Sequence, residues 1–193
     1  DLSGTNNGFH LAKDTVGLDN VYIYDSRQVG APVMDMAIRA KQLADEGKDV
    51  DEIFKVLEEK TKHSFSFLYP DNFDQLSRSG RLSPMAARMA SMLKIKALLC
   101  LDEQGKSVDK YSMSRTEVKV LKAITDKFHE LGVNAEKYKI YISHADNIVF
   151  AKKAKLLLQT TFHGIEVEIN NLPAVLTCHG GLACCALHST YKI

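Results

Sequence analysis

The sequence has no excess of charge of either sign. Its 25 lysines and arginines face 24 aspartates and glutamates, which leaves a formal net charge of +1. Nucleic-acid-binding domains usually carry a clear positive excess, so this balance argues against nucleic acid as a partner. Long apolar runs are missing too. None approaches the roughly 18 residues that indicate a membrane span, and we expect no stable membrane insertion.

The sequence also lacks a starting methionine and any signal-peptide pattern. It begins on Asp1-Leu-Ser-Gly-Thr5, which is typical of the turn before a helix. We therefore expect the chain to be the later part of a larger protein, interrupted inside or beside its own binding site.

Cysteine is scarce and unevenly placed. Cys100 stands alone, whereas Cys178, Cys184 and Cys185 crowd into an apolar C-terminal segment. A secreted disulfide framework spreads an even set of cysteines through a short chain, so this pattern instead predicts reduced, buried thiols in a cytoplasmic protein. The alternative is a zinc site made of the last three cysteines and His179, although their spacing differs from the usual ligand pairs separated by two residues.

The first third of the chain predicts helices with little sheet. Helices are expected from Asn6 to Val16, from Pro32 to Gly47 and from Asp51 to Lys62, where apolar residues recur at helical spacing. A brief apolar run, Val21–Tyr24, has the character of a buried strand. One strand cannot bury three helices. Residues 1–63 are therefore interpreted as the remnant of an N-terminal α/β domain, an incomplete three-layer unit built on a parallel sheet.

The remainder, residues 64–193, predicts a self-sufficient C-terminal domain. Three further helices are expected at Pro84–Leu93, Thr116–Leu131 and Asn147–Phe162. The Asp102–Lys106 turn contains a glycine that allows a positive φ, which predicts a hairpin between two strands. Together these features indicate a two-layer α/β domain with a six-stranded mixed sheet. Its strands are expected at Ser64–Leu68, Ile95–Leu101, Val108–Ser114, Tyr138–His144, Ile165–Ile169 and Leu182–Thr190.

Two polar segments interrupt these structural patterns near helix starts. In Leu2–Thr5, the Ser3 hydroxyl can donate a hydrogen bond to an anion, Gly4 allows a close approach, and the following helix adds its dipole. The alternative is an ordinary helix N-cap at Ser3. In Ser77–Ser83, Arg81 can present its guanidinium to a carboxylate or phosphate, and the alternative is a solvated basic loop between two helices.

A third polar segment, Leu176–Leu182, places His179 and two glycines between apolar, strand-like stretches. A neutral histidine donates or accepts a hydrogen bond and responds to a neighbouring anion, but a structural histidine in a tight turn fits the pattern equally. A catalytic pair of Ser3 and His179 is disfavoured because the sequence contains no Gly-x-Ser-x-Gly nucleophile turn.

The order and spacing of these segments resemble the DegV family of bacterial fatty-acid-binding proteins. Leu2–Thr5 is similar to the family's Leu-Ser-Gly-Thr turn, Ser79–Ser83 to its Gly-Gly-Arg-Ile-Ser segment, and Pro173–Ala183 to its closing His-x-Gly-Pro-Gly element. The resemblance covers essentially the whole chain. Further landmarks occur in the expected order, at Val21–Ser26, Asp71–Leu76, Lys94–Leu99 and Ile142–Asp146.

The resemblance implies a two-domain α/β protein that encloses a long-chain fatty acid in an apolar tunnel between its domains. Ser3, in the turn that includes Gly4 and Thr5, would hold the carboxylate together with a Thr or Ser from an earlier segment. Arg81 and His179 would lie around the head group, on the face that a partner fatty acid kinase reaches to form the acyl phosphate. The binding protein itself would perform no chemistry and would need no cofactor.

Elementary energetics agree with a lipid carrier. Each buried CH₂ contributes about 0.8 kcal/mol, whereas burial of a carboxylate requires compensating hydrogen bonds and positive charge. Apolar residues after Arg81 could line the tunnel, with core packing as the alternative for each of them: Met85, Met89, Met92, Leu93 and Ile95.

Two other functions stay open at this point. The first is an enzyme that acts on a small anionic substrate, with His179 as general acid or base and Arg81 as a clamp. The second is a structural or regulatory interaction module, in which the three polar segments are only caps and turns.

Overall fold

The computed structural model describes residues 2–88, 95–102 and 105–193, except for the side chains of Met85 and Ala87. Three helices come first, and a sheet with further helices follows them. The helices are α1 (Thr5–Val16), α2 (Ala31–Asp45), α3 (Val50–His63), α4 (Asp74–Ser79), α5 (Pro84–Ala87), α6 (Glu117–Glu130), α7 (Ile148–Thr161) and α8 (Ala174–Gly180). The strands are β1 (Phe65–Tyr69), β2 (Lys96–Leu101), β3 (Val108–Ser114), β4 (Tyr138–His144), β5 (Glu166–Asn171) and β6 (Cys185–Tyr191).

Local capping explains where the longer helices begin. In α3, Asp49 accepts a hydrogen bond from the Glu52 amide while the Glu52 side chain accepts one from the Asp49 amide, which forms a capping box. Thr116 and Asn147 cap α6 and α7 through their side-chain oxygens. The five helices predicted at 6–16, 32–47, 51–62, 116–131 and 147–162 are confirmed, with ends displaced by one or two residues.

The six strands form one mixed sheet in the order β3-β2-β1-β6-β4-β5. Only the β4–β5 pair is parallel among these strands, because α7 connects those two strands across one face of the sheet. The β2–β3 hairpin closes at Asp102, whose carbonyl accepts a hydrogen bond from the Gly105 amide at 3.0 Å, and Gly105 has the expected positive φ of 67°. The predicted six-stranded mixed sheet is confirmed.

The two faces of the sheet have different partners. Phe67, Ile140, Ile142 and Leu187 point to the face covered by α6 and α7, where they form the main apolar core. The intervening residues of the same strands point to the opposite face, because side chains alternate along a strand. On that face Tyr141 donates a hydrogen bond to Asp35 of α2 at 3.0 Å, and both α2 and α3 pack against β6.

A buried ion pair connects α2 and α3 to the sheet. Lys60 is only 4% exposed, and its ammonium lies 2.8 Å from the Asp35 carboxylate and donates to the Tyr191 carbonyl. The Tyr141 hydroxyl occupies the other Asp35 oxygen. Burial, followed by the nearby Asp35 charge, raises the pKa of Tyr141 to about 12, so the phenol stays protonated and donates. We call Asp35, Lys60, Tyr141 and the Tyr191 carbonyl the Lys60 cluster.

Two local predictions are wrong. Val21–Tyr24 forms neither helix nor strand, because no other strand of the described chain lies beside it to complete a ladder. The segment around His179 is helical, in α8, where a turn between strands was expected. The helix predicted at 84–93 begins at Pro84 as α5, and its second half lies outside the described residues. The division into domains between residues 63 and 64 stays a prediction.

No helix in the described part of the chain combines the length and the apolar character needed to cross a bilayer.

Candidate functional site

The turn around Ser3 presents the start of α1. Gly4 occupies the N-cap position and has no side chain that could cap the helix. The Ser3 hydroxyl lies 2.8 Å from the Thr5 hydroxyl and accepts a hydrogen bond from the Thr5 amide at 3.2 Å. Ser3 therefore lies one residue before the N-cap position, and its hydroxyl bonds the first amide of the helix. The amides of Asn6 and Asn7 have no side-chain cap and point along the helix dipole toward the turn.

This turn is open to solvent and yet anchored. Ser3, Gly4 and Thr5 are all exposed, and a Cβ added to Gly4 would meet no atom within 4 Å. Leu2 anchors the turn, because its side chain packs against an apolar cluster on the sheet that contains Leu76 and Leu99. An anion could therefore reach the helix start from solvent while the preceding residue stays fixed.

Arg81 follows the C-terminus of α4. Gly80 ends that helix in the left-handed conformation, with φ of 68°, which glycine adopts without strain. The Arg81 guanidinium is half-buried and donates to the Ser79 carbonyl, and it forms no ion pair with any described carboxylate. Its charge is thus available to an anionic ligand.

The backbone after Arg81 is fixed to strand β3. The Val108 amide donates to the Arg81 carbonyl at 3.0 Å, and the Ser83 amide donates to the Val108 carbonyl at 2.9 Å. Leu82, between them, packs in the same apolar cluster as Leu2. The neighbours of Ser3 and Arg81 therefore contact one common cluster. This segment is therefore not simply a solvated loop, because its backbone forms hydrogen bonds with β3.

His179 lies near the C-terminus of α8 and is half-buried. Gly180 ends this helix in a tight place, since an added Cβ would lie 2.9 Å from the Cys184 sulfur and Cys184 would have to shift. Gly181 continues with a φ of 82°, and Ala183 has a φ of 60°, which is unusual for a residue other than glycine. The chain after His179 is therefore tightly constrained before it enters β6.

Helix α4, which ends just before Arg81, packs against helix α8, which contains His179. Gln75 of α4 approaches Gly181, with its Cγ 3.5 Å from the position of an added Cβ. Leu68 of β1 packs in both the Leu2 cluster and a second cluster that contains Leu176 of α8. No hydrogen bond in the described chain joins Ser3, Arg81 and His179 directly. The three segments are linked through neighbouring apolar residues, which pack in two clusters that share Leu68. The roles of Ser3, Arg81 and His179 in binding stay predictions.

The sheet provides an apolar floor beside these segments. Leu68 pairs with Leu99 on one side and with Ala186 on the other, so the three side chains lie side by side on one face. Of the residues predicted to line a tunnel, Ile95 is half-buried. Met89, Met92 and Leu93 lie outside the described residues, as does the side chain of Met85.

The cysteines near His179 do not form a metal site. Among the described residues, no group of three or more histidine, cysteine or acidic side chains could hold an ion. Cys178 is exposed, whereas Cys184 and Cys185 are buried. Burial raises the pKa of both buried thiols, to about 12 for Cys185, so they stay protonated at neutral pH. The predicted zinc alternative therefore finds no support here.

The sequence gives no indication of one buried polar pair. The Ser66 hydroxyl lies 2.8 Å from Nδ1 of His188, and His188 is 1% exposed. Nε2 of His188 has no partner in the described chain, and burial lowers the pKa of this histidine to about 4. Only the register between β1 and β6, in which Ser66 faces His188, reveals the pair.

Comparison with known proteins identifies the family. The profile of the DegV family, a family described as uncharacterised, matches residues 1–192. A fatty acid-binding protein from Thermotoga maritima is 27% identical over 182 residues, which represent 93% of this chain and 62% of that protein. The chain therefore spans less than two thirds of the length of this relative.

Solved structures agree. The crystal structure of a fatty-acid-binding DegV family protein from Streptococcus agalactiae superposes with a TM-score of 0.89 at 25% identity, covering 100% of this chain and 67% of that one. DegV from Bacillus subtilis, a fatty acid binding protein, gives 0.81 at 26% identity, covering 99% of this chain and 67% of its own. Both the sequence profile and the fold lead to one conclusion: this chain belongs to the DegV family.

Proposed function

We propose that this protein binds a long-chain fatty acid, with the carboxylate at the Ser3 turn and the alkyl chain along the apolar face of the sheet. The observation that carries the proposal is the common apolar cluster that holds Leu2 and Leu82, the neighbours of Ser3 and Arg81. It sets the start of α1, and a guanidinium that pairs with no described carboxylate, beside apolar surface. A fatty acid needs this combination of an anion site and an apolar wall.

The exposed side chains of α1 support the same assignment. Phe9, one turn after Thr5, is 61% exposed. Its side chain offers further apolar surface close to the Ser3 turn, where an alkyl chain could continue. Bacterial relatives named as fatty-acid-binding proteins share the fold and the family.

Binding of the carboxylate at an exposed turn would leave it accessible to a second protein. Ser3, Gly4 and Thr5 are exposed, and the space above Gly4 is open. On this basis we propose that the protein presents the carboxylate to a partner kinase for acyl-phosphate formation, and that it is a cytoplasmic carrier without catalysis of its own. Incubation of the loaded protein with a fatty acid kinase subunit and ATP, followed by hydroxylamine trapping, should yield the acyl hydroxamate.

The binding proposal is tested with palmitate and four variants. Arg81→Gln and Ser3→Ala should each weaken palmitate binding by about tenfold or more, because a hydrogen bond to a charged group contributes about 1.5–3 kcal/mol. Arg78→Gln, an exposed arginine of α4, and Thr15→Val, at the far end of α1, are the matched controls and should bind normally. Native mass spectrometry and fluorescence displacement report the bound acid.

The alternatives give different results in the same experiments. A protein that carries no acyl chain from a bacterial host and takes up none in vitro would contradict the carrier proposal. Turnover of an anionic substrate that is lost in His179→Gln and kept in the exposed-residue control His163→Gln would replace it with the enzyme hypothesis. The carrier proposal predicts that neither variant changes any turnover, since none occurs.

A further inference from the structure

A cavity of about 440 Å³ lies between α2, the last turn of α3, β4 and the two residues after β6. Its volume is within the range of ordinary small-molecule sites, which is about 300–1,000 Å³. Ser3, Arg81 and His179 do not line it. It is therefore separate from the site proposed for the fatty acid.

Charged side chains dominate the lining of this cavity. Four are cationic, Arg39, Lys60, Lys139 and Lys192, and one is acidic, Asp35. The single carboxylate is already matched, since one of its oxygens lies 2.8 Å from the Lys60 ammonium and the other accepts the Tyr141 hydroxyl. Lys60 is therefore matched by this carboxylate, and the partners of the other three cations decide what the cavity can bind.

Arg39 has donor capacity to spare. One of its terminal nitrogens lies 3.4 Å from the Gln42 amide oxygen and 3.3 Å from the Glu46 carboxylate, which is longer than the 2.7–2.9 Å typical of charge-assisted bonds. Its Nε is buried and has no partner in the described chain. Buried donors are nearly always bonded, so this N–H, on a residue that lines the cavity, is a donor that a ligand could use.

The two lysines of the sheet side differ in their partners. The Lys192 ammonium donates to the Ala135 carbonyl at 3.1 Å and pairs with no carboxylate among the residues described. Lys139 pairs with Glu166 and Glu168 of the neighbouring strand, each at 2.9 Å, but neither glutamate lines the cavity. Arg39, Lys60 and Lys139 thus each have a carboxylate partner, and the donors left for a ligand are the Lys192 ammonium and the buried Nε of Arg39.

We propose that this cavity binds the phosphate group of a small phosphorylated metabolite, with Arg39 and Lys192 as its principal donors. The planar guanidinium offers parallel N–H groups that match two oxygens of a phosphate, and a lysine supplies a point charge. The cavity is larger than a phosphate ion, which leaves room for the rest of the metabolite. The inference is independent of the fatty-acid site and would stand if that site were wrong.

The test is an NMR titration of the protein with sodium phosphate and with ribose 5-phosphate, against sodium chloride at equal ionic strength. Amide resonances of α2 and of the residues around Lys192 should shift with both phosphates and not with chloride. Arg39→Gln and Lys192→Gln should each weaken binding by about tenfold, which corresponds to the loss of one charge-assisted hydrogen bond. Lys41→Gln, an exposed α2 lysine paired with Asp45, should bind as the wild type does.

Tighter binding of ribose 5-phosphate would identify a phosphate monoester as the ligand, and equal affinities would assign the site to the phosphate group alone. Both outcomes support an oxyanion site. Shifts identical to those in chloride would overturn it, as would equal affinities of Arg39→Gln and Lys41→Gln. Backbone spectra of each variant report folding, and Lys192→Gln changes an exposed residue after the last strand, so at least one variant tests the site in a folded protein.

Discussion

Helix α1 and strand β4 have opposite relations to the core. No residue of α1 is buried, and its large apolar side chains are 61–69% exposed. In β4, Ile140 and Ile142 are completely buried under α6 and α7. The comparison separates packing from exposure. The sheet supplies the packing energy, whereas α1 leaves exposed the helix start at which we propose binding.

Helices α2 and α3, which lie between α1 and the sheet in the chain, are held by polar contacts. Helices α2 and α3 contact the sheet through the Lys60 cluster, and Tyr24, Arg27 and Glu58 form a partly exposed network that ties the α1–α2 connection to α3. Buried ion pairs contribute little net energy but are costly to break from one side. The attachment of α2 and α3 should therefore be sensitive to single substitutions.

The largest expected difference contrasts the core with α1. Phe67→Ala removes a ring that is 1% exposed and packs on Phe128, so the free energy of unfolding should fall by about 3–5 kcal/mol. Phe9→Ala, at 61% exposure, should change it by less than about 0.5 kcal/mol. Urea denaturation of both variants measures the contrast. Similar losses in the two would show that α1 packs in solution as the core does.

Substitution of Lys60 tests the attachment of α2 and α3. Lys60→Met leaves Asp35 without its cation in a largely buried site and should destabilise the protein by about 3–5 kcal/mol. Hydrogen exchange should accelerate first in α2 and α3 and later in β4. Lys48→Met, which breaks an exposed pair with Glu52, is the control and should have little effect. Uniform acceleration across the sheet would contradict a local role for the cluster.

Acid should weaken the protein through His188. Burial lowers the pKa of His188 to about 4, below its ordinary value of about 6.5. Between these values the unfolded chain binds a proton that the folded chain does not, so stability falls as the pH drops from about 6.5 to 4 and then levels off. The loss from this group should be about 3 kcal/mol.

The measurement is the pH dependence of unfolding for His188→Gln against the wild type. The variant should show a shallower decline between pH 6.5 and 4, whatever its stability at neutral pH. His163→Gln changes an exposed histidine and should keep the wild-type slope. Parallel curves for His188→Gln and the wild type would mean that His188 takes up its proton in the folded protein.

The smallest effect is expected at the partly exposed pair of Arg27 and Glu58. The two groups lie 2.8 Å apart, but their side chains are 38% and 39% exposed. The Glu58 hydrogen bond raises the pKa of Arg27, and the same contact lowers the pKa of Glu58, yet solvent screens much of the attraction. Arg27→Gln should cost about 0.2–1 kcal/mol in thermal unfolding, decreasing with added salt. A loss as large as that of Lys60→Met would erase the proposed difference between exposed and buried attachment.

Much of the sheet could be predicted because its strands carry their own signals. Short apolar runs bounded by turn residues located β1 to β6 to within a few residues, and the glycine at 105 located the hairpin. Val21–Tyr24 carried the same signal and yet forms no strand, because a strand also needs a neighbour that a local pattern does not reveal.

The site residues show a similar limit. Pro173 before α8 and the two glycines after His179 are ordinary helix start and stop signals, so the helix could have been found from sequence. The Ser66–His188 pair and the Lys60 cluster could not, since each joins residues far apart in the chain through strand register and helix packing. The resemblance of three short segments predicts the candidate site, and the roles of its residues in binding stay predictions.

The most direct test of the central claim is the NMR signal of palmitate labelled with ¹³C at its carboxyl carbon, bound to the protein. The proposal predicts one bound carboxylate resonance that Arg81→Gln and Ser3→Ala displace and that Arg78→Gln leaves unchanged. A bound resonance that is identical in all three variants would contradict the placement of the head group between the Ser3 turn and Arg81.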